Sequence, residues 1–443
     1  NKWFGNTRLL LFAPPADFSF QPLNARFGQE LELSGLALVD REAEPAPGAI
    51  RVALHWEQKP RADLRIQLRL SDSLGRTWAQ QDFPLGPPER YAFLVPAGTP
   101  PGRYELRLRV FEPSTGRILD AFDGQPPEPE PELPLGTILI KHPLSVPEGK
   151  LEIAAGVKEE LGGKIRLLGY SLSSRTLLTG DTLSLSLFWQ SLDDLTRDYT
   201  VFVQLQDNRR QMVAGTESPP LCPTSRWSRG LLVRDMHEVV IPATLRPGTY
   251  NLVVGMYDPA DGSRLPASGG DNQVLIARVR VKARPHNFEK PSPAFTTRAT
   301  FGSLAELEGY NIEASAPDGR KFAPEGGILK VRGGWEIRLT LYWHPIGTTD
   351  KSYFVFVHLV DEGGKDVAFG DAPPDGGQTP TTSWIPGEYI ADPHTIPVPP
   401  GLPSGVYHLQ VGLYLPPYGP RLPLEGGGDG YTLPGVKLIV EEE

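Results

Sequence analysis

One cysteine, Cys222, stands in 443 residues, so no internal disulfide forms and a thiolate zinc site cannot be built. Methionine is nearly as scarce, at three. Basic charge is also short. Lys and Arg number 44 against 53 Asp and Glu, for a net charge of -9. Nucleic acid is therefore not an expected partner, because phosphate binding needs a basic surface. Long apolar runs are missing. The apolar stretch in residues 1–12, with Trp3, Phe4 and Leu9, is far shorter than the roughly 20 residues of a spanning helix, so no membrane insertion of this chain is expected. The first residue is Asn1 rather than methionine, which reads as a processed product or a piece of a longer protein, with an upstream anchor left open. No Asn-x-Ser/Thr sequon occurs.

Glycine and proline, by contrast, are plentiful, at 47 each. Long helices tolerate neither, so a mainly helical protein is disfavoured. The length suits about three domains of roughly 150 residues. Internal repetition gives the same number. Residues 50–56 (IRVALHW), 183–189 (LSLSLFW) and 337–343 (IRLTLYW) alternate strictly and end in Trp56, Trp189 and Trp343. A period of two means a strand with one buried face, and each Trp shares the aliphatic face. A second alternating strand ending in Asp follows each: 64–72, 199–207 and 353–361. A Gly-x-Tyr signal then opens a third strand at Tyr104, Tyr250 and Tyr407, which closes on a turn and Arg117, Arg264 or Arg421. Further strands are expected before each Trp strand (31–38, 165–172, 304–312) and at the end of each copy (137–140, 274–281, 436–440).

Trp-to-Trp spacings of 133 and 154 residues make each copy a domain rather than a solenoid repeat. The expected division is 1–143, 144–288 and 289–443, with polar, proline-bearing connectors at 143–150 and 284–294. The one helix-like stretch, 157–161, spans a turn at most. Short strands with Gly/Pro turns predict an all-β protein of three tandem antiparallel β-sandwiches. The Pro-Gly-x-Tyr runs at Tyr104 and Tyr250 resemble the tyrosine corner of immunoglobulin-like and fibronectin III sandwiches; the third copy has Ser404 for Pro.

No catalytic motif is present. His237-Glu238 starts like a zincin helix, but no His follows at the required spacing. Residues 258–262 (DPADG) lack the ligand spacing of a calcium loop and read as a hairpin turn. Residues 426–430 (GGGDG) lack the strand-to-helix context of a phosphate loop, and no Gly-x-Ser-x-Gly elbow occurs. One constellation recurs: Trp227 with Asp235 and His237, and Trp384 with Asp392 and His394. Two ligands make a weak metal site, and recurrence favours scaffold, so these pairs read as structural hydrogen bonds. No metal, cofactor or catalytic residue is expected.

Aromatics on the opposite sheet face differ between copies. The second copy places Phe188, Phe202 and Tyr257 there, and the third Tyr342, Phe354, Phe356 and Tyr414. The first offers His55, Arg65, Gln67 and Arg69. Gly255 and Gly412 stand where the first copy has Arg109. Such a face stacks sugar rings if open, which makes Trp227, Trp384, Tyr257 and Tyr414 the candidate ligand contacts. From the strand-two Asp to the Gly of Gly-x-Tyr are 30 residues in copy one, 41 in copy two and 44 in copy three. The extra length is expected to fold over the outer aromatics, with Trp227 on Phe202 and Tyr257, and Trp384 on Phe356 and Tyr414.

Residues 168–172 (LGYSL), 199–205 (YTVFVQL) and 247–258 (PGTYNLVVGMYD), with 307–310 (LEGY), 354–359 (FVFVHL) and 405–414 (GVYHLQVGLY), resemble a family of bacterial extracytoplasmic β-domains. Such domains follow the membrane region of mannosyltransferase-type glycosyltransferase-like proteins, and 23–28 (LNARFG) fits that arrangement. The resemblance implies an extracytoplasmic, cell-surface location, with transferase chemistry outside this chain. The expected function is a non-catalytic array serving as a binding or spacer module, with glycans or other cell-surface proteins as partners. The rival readings are a structural subunit of a bacterial surface layer or filament and a carbohydrate-binding module.

Overall fold

The computed structural model describes residues 19–441 except 29–30, 44–47, 58–62, 87–89, 114–117, 120, 123–130, 142–148, 150 and 417–418, together with the backbone of two strands, Lys2–Phe4 and Thr7–Leu9. The side chains of 1–12, Arg117 and nearly all of the connector 143–150 fall outside the described residues.

Each copy is two facing sheets. In the second unit one sheet runs Ala155–Leu161, Ile165–Leu172, Thr182–Ser191 and Leu232–Val240. The other runs Thr176–Leu178, Val274–Lys282, Gly248–Tyr257, Thr200–Gln206 and Met212–Ser218. All pairs are antiparallel except Thr176–Leu178, which lies parallel to Val274–Lys282. The third unit repeats this order, with its Trp strand at Glu336–Pro345, its Asp strand at Phe354–Asp361 and its Tyr strand at Gly405–Tyr414. The first unit does the same with Ala49–Trp56, Arg65–Ser71 and Gly102–Phe111. The protein is all-β, three fibronectin III/immunoglobulin-like sandwiches in series.

The repeated residues have physical reasons. Trp56, Trp189 and Trp343 are 4%, 0% and 0% exposed, at the centre of each sheet-to-sheet core. The Asp after each second strand caps the hairpin. Asp72 Oδ1 accepts from Leu74 N and Arg76 N, Asp207 Oδ1 from Arg209 N and Gln211 N, and Asp361 Oδ1 from Gly363 N and Lys365 N. A carboxylate bonding backbone two and four residues on favours the turn. The tyrosine corner is present in all three units. Tyr104 donates to Pro100 O at 2.8 Å, Tyr250 to Arg246 O at 2.6 Å and Tyr407 to Pro403 O at 2.8 Å.

The stretch 157–161 is not a helical turn but part of the strand Ala155–Leu161. Lys158 sits at φ 63°, and the register slips between Gly156 and Glu159. This bulge shifts the two-residue alternation within the strand, so the stretch does not show a strand's period in sequence. The same slip occurs at Pro22/Ala25 and Thr296/Ala299.

Both joints between units are packed and hydrogen-bonded. At the first, Leu151, Leu168, Phe188 and Leu232 form a buried cluster with Ala97 and Ile153 against it. Arg234 N donates to Gly98 O at 2.6 Å, and the Arg234 guanidinium lies 5.2 Å from the Trp78 ring while donating to Trp78 O. At the second, Thr382 Oγ1 donates to Gly180 O at 2.6 Å. Arg284, in the stretch expected to be a plain connector, instead donates to Thr179 O, Gln378 O and Asp181. His286 Nδ1 lies 2.6 Å from Glu388 Oε2, and Tyr389 N donates to Asn287 O.

Trp343 fills the third core and donates its indole N–H to Asp392 at 2.9 Å. Truncating a buried Trp costs about 3–5 kcal/mol. In calorimetry of the whole chain, Trp343→Ala should move the third unit's transition well down and leave the others near their place. An unchanged profile would remove Trp343 from the core.

Candidate functional site

The outer face of the sheet carrying the Asp and Tyr strands is where the units differ most. Register makes Gln67, Phe202 and Phe356 equivalent, opposite Arg109, Gly255 and Gly412. A Cβ on Gly255 or Gly412 would come within 2.4 Å of the Phe202 or Phe356 ring, so each glycine is the bed on which a ring lies. Over the rings stand Arg264 and Arg421, at 4.1 Å and 4.3 Å from the centroids. Isolated bridges Tyr257↔Arg264 and Tyr414↔Arg421 fix the arginines there. Such cation–π stacks stabilise by about 0.5–2 kcal/mol. Phe202 and Phe356 end 0% and 1% exposed.

This corrects the expected covering. Trp227 and Trp384 do not fold over the outer aromatics but insert between the two sheets. Trp227 belongs to the core cluster of Trp189, and the Trp384 ring lies 6.1 Å from that of Trp343. Their indole N–H groups donate to Cys222 O and Thr379 O, each at 2.9 Å. The chain leaves one sheet at Ser218 and joins the other at Leu232, so it passes the open side of the sandwich. An apolar wedge there closes the core, whereas the outer face is already closed by arginine. Two residues that the sequence reading missed hold the wedge. Thr224 Oγ1 accepts from Tyr199 N and donates to Arg197 O; Thr381 Oγ1 accepts from Tyr353 N and donates to Lys351 O. A Thr three residues before each Trp is the signal that marks them.

Of the four candidate contacts, Trp227 and Trp384 are 1% and 0% exposed. Tyr257 is half-buried and donates to Glu217 at 3.2 Å. Tyr414 is half-buried between Phe354 and Phe356, at 6.1 Å and 6.4 Å. Phe188 lies in the first joint.

The Asp/His pairs lie between the sheets. His237 Nε2 is 2.6 Å from Asp235 Oδ2, and His394 Nε2 is 2.8 Å from Asp392 Oδ2. Asp392 also accepts from Asp375 N, and His394 Nδ1 lies 2.8 Å from Gly370 O. Burial depresses His394 most, but the bond to Asp392, the charge of that carboxylate, the Gly370 carbonyl and the charge of Asp371 together outweigh it and raise the pKa above the ordinary histidine value. Among the described residues no group of three metal-ligating side chains converges.

Two recesses mark the outer faces. On the second unit an open recess of about 320 Å³ is lined by Gln204, Gln206, Gln273, Arg210, Arg264, Asp271 and Asn272. On the first unit Arg69 and Arg109 share the buried Glu132. A recess of about 740 Å³ lies between that face and Leu415, Pro416 and Gly419, so the first and third units face each other. In the third unit the position of Gln204 is His358, held by Asp366 at 3.0 Å and Asp371 at 3.4 Å.

No family model matches the chain, and no curated protein does. Among solved structures, the chain is similar to a tetra-tandem repeat in the extending region of a large adhesion protein, at 9% identity and a TM-score of 0.18, covering 91% of this chain and 97% of that one. It is also similar to the FN1–FN3 domains of chicken CNTN1, at 12% identity and a TM-score of 0.20, covering 96% and 100%. At these scores the fold assignment rests on strand order and the tyrosine corner. No helix among the described residues is long and apolar enough to cross a membrane.

The raised His394 pKa gives the third unit a pH signature. The folded state holds the imidazolium proton more tightly than the unfolded chain, so this stabilisation is complete below the unfolded value and is lost as pH rises through the folded one. As pH rises above the ordinary histidine value of about 6.5, the third unit's melting temperature should fall, and His394→Gln should flatten that fall. An equally steep fall in the variant would assign it to another group.

Proposed function

We propose that the chain is a non-catalytic, extracytoplasmic β-sandwich array, a binding or spacer module that holds its units in fixed mutual orientation. The observation that carries this reading is the pair of built joints. Arg234 and Phe188 close the first, and Arg284, Thr382 and His286 close the second. Free linkers need no such contacts. The acid–base pairs do not argue for catalysis. The side chains of Asp235 and His237 are 3% and 1% exposed, and those of Asp392 and His394 are 0% exposed, so a substrate does not reach them. The resemblance to extracytoplasmic domains of membrane glycosyltransferase-like proteins supports reading the array as the ectodomain of such a protein. Sequencing the parent gene upstream of Asn1 tests that part. Transmembrane helices are expected there, and a secretion signal directly before Asn1 would sink it.

Gly180 tests the joint. Its φ is +85°, and a Cβ would lie 2.2 Å from Ser383 Cβ. Gly180→Ala should cost about 1–3 kcal/mol through overpacking. We expect each unit to stay folded by circular dichroism, while small-angle scattering and inter-unit spin-label distances change from one narrow distribution to a broad one. A wild-type distribution that is already broad would defeat the fixed-orientation reading.

A further inference from the structure

The recess on the second unit's outer face lies where the other units place ion-paired side chains. We propose that it is a binding site for an acidic saccharide, one that presents a uronate carboxylate among hydroxyls. The site lies within one unit, so it stands or falls separately from the rigid joints.

The floor is a chain of carboxamides, with Gln204 and Gln206 buried and Gln273 half-buried. Gln206 Nε2 donates to Gln204 Oε1 at 3.1 Å and to Gln273 Oε1 at 3.0 Å, and Gln273 Nε2 donates back to Gln206 Oε1 at 3.3 Å. These bonds occupy acceptors. Gln204 is 6% exposed, and its Nε2 donates to no atom among the described residues while it lines the cavity. Water reaches that nitrogen through the cavity, so its N–H groups stand open to a ligand that accepts from them. At the wall, Arg210 is neutralised by Asp271. Arg264 is not. Its guanidinium carbon lies 4.1 Å from the Phe202 ring centre, and the side chain is exposed, lines the cavity and has no carboxylate partner among the described residues.

Unused donors and one positioned, unopposed cation call for a ligand rich in acceptors that carries negative charge. A planar guanidinium suits a carboxylate, which it binds through two parallel bonds. Carboxamides suit hydroxyls, which both give and accept. Every lining residue is polar or charged, so an apolar ligand finds little to bury against. A cavity of about 320 Å³ holds on the order of ten waters at about 30 Å³ each, so a lone inorganic anion leaves most of it unfilled. The other units lack the site: Arg69 and His358 occupy the Gln204 position and are spent on Glu132 and on Asp366 and Asp371.

The test is calorimetric titration of the whole chain with a galacturonic acid tetrasaccharide, its methyl ester and inorganic phosphate. The acid form should bind saturably. The ester keeps the hydroxyls and loses the charge, and should bind at least about tenfold more weakly. Gln204→Glu keeps the acceptor for Gln206 and replaces the free donor by a negative charge, and should weaken binding by about tenfold or more. Arg264 is exposed, so Arg264→Gln should fold and should weaken binding similarly. No saturable binding of the acid form, equal binding of the ester, or wild-type affinity in both variants would each overturn the proposal. Phosphate competing as strongly as the saccharide would reduce the site to an anion site and also overturn it.

Discussion

A tyrosine hydroxyl bonded to the carbonyl four residues before it is the fixed point of every unit. Tyr104, Tyr250 and Tyr407 each make this bond at the start of the strand that runs through the middle of its sheet. The bond anchors the chain as it crosses from one sheet to the other. Once that strand is placed, the Asp strand pairs beside it and the last strand on its other edge. The inner alternate residues then meet the Trp strand, and the outer ones form the face that differs between units. The core packing and the surface chemistry both inherit their register from this bond.

Much of this architecture is legible in the sequence because two-residue periodicity encodes strand phase directly. It places Trp56, Trp189 and Trp343 inward and locates the Asp and Tyr strands to within a residue or two. Phase does not say on which side of a sheet an intervening segment lies. The longer crossovers of the second and third units are compatible with covering the outer face or plugging the open side. Trp227 and Trp384 take the second course because Arg264 and Arg421 already seal Phe202 and Phe356. The bulge at Lys158 misleads in another way, since one left-handed residue shifts the alternation and hides the strand's period. The joints leave hardly any trace. Gly180 is one glycine among many until its neighbour Ser383, two hundred residues away, is in place. The amide floor is equally silent, because Gln273 reaches Gln204 and Gln206 only through the sheet.

One scaffold thus carries three surface chemistries at matched positions. The first unit neutralises arginine with a buried glutamate, the second leaves a polar hollow, and the third ties a histidine between two aspartates. The inner faces vary less, since nearly every inward position is part of a dense apolar core and the Asp/His pairs between the sheets recur in the second and third units. Divergence is cheap only where a side chain answers to water and its immediate neighbours rather than to a facing sheet.

The lone cysteine adds a kinetic handle. Cys222 is 2% exposed in the second crossover, and its carbonyl holds the Trp227 indole. Burial pushes its thiol pKa up to about 11. Only about one thiol in ten thousand is then ionised at neutral pH, and thiolate is the reactive form. An alkylating reagent therefore waits for the crossover to swing out. The chain carries an intrinsic clock: its rate of alkylation reports how often the wedge leaves the sandwich, with no label introduced.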